Sequence, residues 1–282
     1  MKPTIGIIGG CGPLATLDIE SKILEATKKL INPIIDQDYF NLLVFNYTQF
    51  SDRNDTIIFT QKSLLDQYLF CVKSLVKIGV DILLIACQTA HVYLPELKKN
   101  TNILIVDIVE ETIRYINAIS PSIVRVGLLS TEATQKCKLY QDKLISYDIE
   151  VVTIPASIQK AIMQAIYIIK TGISLIDGEM QLTNHCYNKI DKERFCSLKK
   201  HPYKKILTKK SVPNPIITII EAINYLARNG CTYVILGCTE LPLILPYINT
   251  QKLNAKLIDP NNIVAESIVG LAYRLYKEKL EL

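Results

Sequence analysis

Two segments of this 282-residue chain repeat one another across its halves, and each carries a cysteine at the same place. The first is VDILLIACQTAHVYLPEL, with Cys87, and the second is CTYVILGCTELPLIL, with Cys238. Each cysteine closes an apolar run of strand character. A glycine stands eight residues upstream of each, Gly79 in one half and Gly230 in the other, and Leu-Pro follows a few residues on. The N-terminal run TIGIIGG has its counterpart in VRVGLLST. NILIVDI, reaching Asp107, has its counterpart in NAKLIDP, reaching Asp259. A repeat unit this large marks a duplicated fold rather than a solenoid of short repeats. Such a fold can present one thiol from each half to a central cleft.

Between these landmarks β-rich runs alternate with amphipathic stretches. ATLDIESKILEATKKL puts Ile19, Ile23, Ala26 and Leu30 on one helical face. NLLVFNY is continuously apolar, as for a strand covered on both sides. Beyond Gln61, Leu65, Tyr68, Leu69, Val72 and Val76 form a stripe that stops at Gly79, a helix C-cap signal. In the second half, TEATQKCKLYQDKLISY reads as one helix, and IQKAIMQAIYIIKTG as another ending at Gly172. This βαβ rhythm predicts two α/β domains with mainly parallel sheets. The expected first domain is residues 1–115 with 260–282 and carries Cys87; the second is 116–259 and carries Cys238. The return of the C-terminal helix to the first domain is an expectation by analogy.

With 49% hydrophobic residues the chain has ample material for a core. No apolar run approaches the ~20 residues of a membrane helix. MKPTIGIIGG reads as a strand entering a glycine turn, not as a secretory leader. Eight cysteines without an export signal fit a reducing setting, so a cytoplasmic location is expected. The net charge of +5 is concentrated: residues 189–210 hold nine Lys or Arg and two acids, +7, which leaves −2 elsewhere. A nucleic-acid surface is therefore not indicated. These lysines belong to an insertion at about 173–212 that has no partner in the first half and reads as a solvated excursion. It contains His185, Cys186, Cys196 and His201, but their spacing fits no standard zinc motif and no metal is expected.

Ligands of parallel α/β sheets bind beyond the carboxyl ends of the strands, which is where Cys87 and Cys238 stand. One such cysteine alone would be read as a small core residue; the matched pair favours function. Neither has the CxxC spacing of a redox pair. Cys71, Cys137 and Cys231 read as inert packing residues. The turn IGGCGPLAT is neither GxGxxG nor a Walker A loop, and serves either as a plain tight turn or as a cradle of N–H groups for a small anion. Arg53 in TQFSDRND could grip a carboxylate with both arms of its fork, although a lone loop arginine is more often solvated. His91 reads as a polar support rather than a base.

The stretches IGIIGGCGPLAT, QFSDR, LIACQTAH, GLLSTEAT, AIYIIKTG and VILGCTELPLIL together resemble the aspartate/glutamate racemase family, the cofactor-independent amino-acid racemases. The resemblance implies two pseudo-symmetric domains around a cleft, with Cys87 and Cys238 as the acid/base pair. It implies Gln88, Thr89 and Thr239 near the substrate carboxylate and amino group, and Arg53 on a side-chain carboxylate. Thr131, Cys11 and Gln49 are further substrate-binding positions, and Lys170 is a candidate. The implied partner is an amino acid, most naturally aspartate or glutamate. A homodimer and independence from pyridoxal phosphate, metal and nucleotide are expected with it. Three departures stand out: Cys11, Gln88 and Ser51 occupy positions where the family usually has Met, Asn and Pro. Alternatives are a hydantoin racemase or maleate isomerase on the same scaffold, or a binding protein without turnover. Binding alone would need neither thiol.

Overall fold

A computed structural model describes residues 2–60, 63–119, 123–170, 173–176, 179–182 and 214–281. Two four-stranded parallel sheets form its frame. The first contains β1 (Thr4–Gly9), β2 (Asn41–Asn46), β3 (Ile82–Ile85) and β4 (Leu104–Val106), in the order β2-β1-β3-β4. The second contains β5 (Arg125–Ser130), β6 (Glu150–Thr153), β9 (Tyr233–Gly237) and β10 (Lys256–Ile258), in the order β6-β5-β9-β10. The two orders are the same once equivalent strands are matched, so the sequence repeat is a repeat of topology. Between β6 and β9 lies an antiparallel hairpin of β7 (Ile173–Ile176) and β8 (Glu179–Leu182), at the start of the insertion. The candidate metal ligands His185, Cys186, Cys196 and His201, like Gly172, lie outside the described residues.

Parallel strands buried on both faces explain the continuous apolar runs. In β1, Ile5 and Ile7 face the middle of the molecule, while Ile8 faces the outer layer formed by α3 (Leu65–Lys77) and α4 (Leu94–Lys99). In β9, Ile235 faces the middle, and Val234 and Leu236 face α8 (Ala156–Lys170) and α9 (Pro215–Arg228). The middle layer is one apolar core shared by both sheets. It includes Ile7 and Leu84 from the first sheet and Leu128 and Ile258 from the second. It is filled out by α1 (Pro13–Ile31), α5 (Ile108–Ile119) and the C-terminal helix α10 (Pro260–Glu281), which packs on both α1 and α5.

Three local expectations are revised. β2 is an edge strand, so its apolar run is only half-buried. The buried stripe of α3 is Tyr68, Cys71, Val72 and Leu75, with Val76 turned to solvent. The single helix expected after Thr131 is broken into α6 (Glu132–Lys136) and α7 (Gln141–Leu144), because Lys138 adopts a left-handed conformation at φ 49°.

Electrostatic contacts reinforce the shared core with the same symmetry. Asp107 caps α5 through Val109 N at 2.9 Å, and Asp259 caps the first turn of α10 through Asn261 N at 2.9 Å. Lys143, from α7, reaches Asp107 at 2.7 Å. Lys22, from α1, reaches Asp259 at 2.8 Å. Each half thus lends one lysine to the capping aspartate that follows the other half's last strand.

The glycines before the two cysteine strands have the same task. α3 and α9 each end in a residue with positive φ, Gly79 at 92° and Gly230 at 82°. The next N–H then reaches back five residues, Val80 to Leu75 O at 3.3 Å and Cys231 to Leu226 O at 3.1 Å. An added methyl at Gly79 meets nothing within 4 Å, so its cost is conformational alone. Gly79→Ala and Gly230→Ala are each expected to lower unfolding free energy by about 1 kcal/mol in urea titrations. Unchanged or higher stability would contradict the left-handed requirement, since alanine stabilises where φ permits it.

Candidate active site

The carboxyl ends of β3 and β9 face one small common cavity. Cys87, two residues beyond β3, and Cys238, directly after β9, both line it. So do Asp52, Arg53 and Asn54 from the loop after β2, Thr89, Thr131, Glu240, and Met163, Ile166, Tyr167 and Lys170 from α8. Both halves therefore contribute to one site, as the repeat requires.

Arg53 begins a one-turn helix, α2 (Arg53–Asp55), which Asp52 caps by accepting the Asp55 N–H at 2.9 Å. Arg53 is buried, at 7% exposure, rather than solvated as a lone loop arginine commonly is. It donates to Ser51 O at 3.2 Å and to Cys11 O. Lys170 Nζ approaches the same carbonyl at 3.5 Å and Glu240 Oε1 at 3.5 Å. Burial opposes the Lys170 charge, yet Glu240 and Asp52 raise its pKa. Burial likewise works against the Asp52 carboxylate, and Lys170 and Arg53 more than compensate, lowering it. Two cations thus remain charged at the cavity wall.

The thiols differ sharply. Cys11 Sγ lies 3.2 Å from Tyr68 OH. Burial would push the Cys11 thiol up, but the neighbouring Cys87 thiol, the Arg53 charge, Tyr68 and Lys170 bring it down to about 6. The neighbouring Cys11 in turn raises Cys87 well above an ordinary thiol, and burial adds to this. Cys238 is raised by burial and by Glu240, to whose Oε2 it donates at 2.9 Å. Cys71 lies in the outer core, where burial alone pushes it up to about 12.

The glycine turn after β1 packs against the Glu240 side chain. A methyl on Gly12 would collide with the Glu240 carboxylate, so glycine is what lets Glu240 reach Lys170 and Cys238. Glu240 carried no separate signal in the sequence beyond its place after Thr239. Asn54 was likewise not singled out. Its Oδ1 accepts the Ala133 N–H at 2.9 Å, while Nδ2 is buried without a hydrogen-bond partner, at the cavity wall. An orphaned buried donor costs about 1–3 kcal/mol and points to a missing acceptor.

Other expected residues serve the seam between the halves. Gln88 does not line the cavity: it donates to Leu236 O at 3.0 Å and accepts from Tyr140 OH at 2.6 Å, so its amide bridges into the second sheet. Thr89, Thr131 and Thr134 form a hydroxyl cluster across the seam, with Thr89 Oγ1 2.9 Å from Thr131 Oγ1 and 3.0 Å from Thr134 Oγ1. Thr239 is buried behind Cys238, donating to Glu240 at 3.3 Å and accepting Asn261 Nδ2 on its carbonyl at 2.9 Å. Gln49 is exposed and outside the cavity lining. His91 accepts the Ile108 N–H on Nε2 at 3.3 Å and so donates from Nδ1 to Cys87 O at 2.9 Å. Burial lowers its pKa, which leaves it a neutral support beneath the Cys87 loop. Among the described residues no helix is long and apolar enough to cross a membrane, and no metal-ligating cluster occurs.

Comparison with known proteins places this architecture. The chain is 31% identical over 142 residues to the broad specificity amino-acid racemase RacX of Bacillus subtilis (strain 168), a match covering 50% of the chain and 60% of that relative. Its fold superposes on the Picrophilus torridus aspartate racemase with a TM-score of 0.69 at 25% identity, covering 96% of this chain and 94% of the other. An aspartate racemase homologue from Pyrococcus horikoshii OT3 gives 0.64 at 21% identity, covering 97% and 100%. The Asp/Glu/hydantoin racemase family model matches residues 8–186, including the first cysteine motif, and the chain belongs to that family.

Proposed function

We propose that this protein racemises an acidic amino acid, aspartate or glutamate, by cofactor-independent proton transfer between Cys87 and Cys238. The observation that carries the reading is that both thiols line one cavity whose wall also holds Arg53 and Lys170. In this reading the Cys11 and Cys87 thiols share one proton, and its movement to Cys11 leaves Cys87 as the base. Cys238, kept protonated by burial and by Glu240, is the acid on the opposite face. Removal of the α-proton generates an enediolate-like carbanion, which hydrogen-bond donors around the carboxylate stabilise as an oxyanion hole does. The Asn54 amide is one such donor in search of an acceptor. For the side-chain carboxylate, Arg53 and Lys170 offer a cationic pair that now rests on the Cys11 carbonyl. The likeness to an aspartate racemase and to a broad specificity amino-acid racemase supports the reaction class.

Cys87→Ser and Cys238→Ser are each expected to lower racemisation by about 10²–10⁴-fold, the usual scale for removing a general acid or base. Chiral chromatography of the amino-acid product reads this out. Near-normal turnover by either variant would contradict the two-thiol mechanism.

Arg53→Leu is expected to lower kcat/KM for aspartate and glutamate by about a hundredfold or more, on the scale of the ~3–5 kcal/mol of a buried charge stripped of its partner. A neutral amino acid serves as the control. Equal loss on both substrate classes would remove Arg53 as the side-chain anchor.

The depressed Cys11 value sets the pH dependence. A thiolate in the pair is populated above about 6 and lost as pH falls through that value. The acid limb of kcat/KM is therefore expected near 6 rather than near the ~8.5 of a free thiol. In Cys11→Ser the limb should move up; an unmoved limb would show that Cys11 does not share the proton.

A further inference from the structure

The wall of the cavity carries one donor amide that the fold leaves unanswered. Asn54 is 4% exposed, and its Oδ1 accepts the Ala133 N–H at 2.9 Å. A backbone N–H can be met only by an acceptor, so this bond fixes which end of the amide is oxygen and turns Nδ2 the other way. Among the described residues Nδ2 is the one buried side-chain nitrogen without a hydrogen-bond partner, and Asn54 lines the cavity. The other polar groups of the wall are engaged. Arg53 donates to Ser51 O and Cys11 O, Lys170 approaches Glu240 and Cys11 O, and the Thr89 and Thr131 hydroxyls meet each other and Thr134. Gln88 offers no substitute, because its amide is spent on Leu236 O and Tyr140 OH. The wall thus divides in two. The cations gather at the Cys11 carbonyl, whereas Asn54, Thr89 and Thr131, all uncharged, gather where α6 begins in the second half.

We propose that Asn54 anchors the substrate's α-carboxylate, donating from Nδ2 to the oxygen that gains charge as the α-proton leaves. The inference deepens the racemase reading and rests on it. When one thiolate takes the α-proton, the electron pair of the broken C–H bond moves into the α-carboxylate and makes an enediolate. When the pair returns to the α-carbon, the facing thiol supplies the new proton. Only the α-carboxylate changes charge in these two steps, so a donor aimed at it binds the transition state better than the ground state. A fixed, buried amide suits that task, since it needs no reorganisation at the moment of reaction and has no competing partner to give up. The cationic pair is left for a carboxylate further along the substrate. The Ala133 bond sets the aim. Asn54 belongs to the first half and Ala133 to the second, so the amide is oriented by how the two halves sit together.

Asn54→Asp separates this from a purely structural part. It keeps the oxygen that accepts the Ala133 N–H and puts a second oxygen where the donor was, so the seam survives and the anchor is lost. The whole purified variant should still unfold cooperatively in urea. With aspartate or glutamate, whichever the wild type binds more tightly, its kcat/KM should fall about 10²–10³-fold with most of the loss in kcat, the scale of one oxyanion-hole donor. The Kd of the same amino acid, read by calorimetry, should rise about tenfold or more. Turnover and Kd within about threefold of wild type, or a higher KM at unchanged kcat, would overturn the inference. If the variant does not fold, a crystal structure of the wild-type protein with that amino acid decides. Nδ2 within about 3.2 Å of an α-carboxylate oxygen upholds the anchor, and a contact elsewhere overturns it. A wild type that binds the amino acid without racemising it, beside a variant that loses the binding, would uphold the anchor and count against the racemase reading alone. A wild type that binds neither amino acid would overturn both.

Discussion

The shared apolar core between the two sheets is the constraint on which the site depends. Residues from β1 and β3 pack into the same cluster as residues from β5, β9 and β10. That cluster holds the carboxyl ends of β3 and β9 against one cavity, so residues of both halves line it together with the two cysteines. Burying a large continuous apolar surface is the main favourable term available to a chain of this size. The polar seam adds direction to it. The Gln88–Leu236 bond, the Thr89–Thr131–Thr134 cluster and the two crossed lysine–aspartate bridges fix how one half sits on the other. Water has little access there, so each charge in the cavity acts at close range on the thiols.

That low-polarity setting raises both Cys87 and Cys238 above an ordinary thiol, while the charges around the first half's extra sulfur, Cys11, lower it. Around Cys87 and Cys11 the near charges are Arg53 and Lys170, which favour a thiolate. Beside Cys238 stands the Glu240 carboxylate, which favours the thiol. A duplicated frame gives the positions, and unmatched loop residues give the polarity. Gly12 belongs to the first half, Glu240 to the second, and their contact is what brings the carboxylate to Cys238.

Much of this was legible in the sequence because it is periodic or duplicated. The two cysteine motifs, their upstream glycines and the paired Asp107 and Asp259 all occupy equivalent places in the fold. What was not legible depends on contacts between distant segments. Gln88 follows a site cysteine, yet its amide is spent on Leu236 and Tyr140, a pairing no local pattern announces. Gln49 lies on the loop that carries Arg53 but points away from the cavity, whereas Asn54, one residue past Arg53, lines it. The break at Lys138 is a left-handed residue in a sequence with full helical periodicity, where tertiary packing overrides propensity. Glu240 and Asn54 became visible only when the sheets were brought together.

The central claim, that two thiols serve opposite faces of one α-carbon, is tested most directly by where solvent deuterium goes in the first turnovers. The protein is incubated with one enantiomer of aspartate in deuterium oxide, and the α-proton content of each enantiomer is measured at low conversion. Transfer between Cys87 and Cys238 predicts deuterium in the newly formed enantiomer and protium retained in the unreacted one. Protium carried into the product, or equal early deuteration of both enantiomers, would mean that a single base works on both faces.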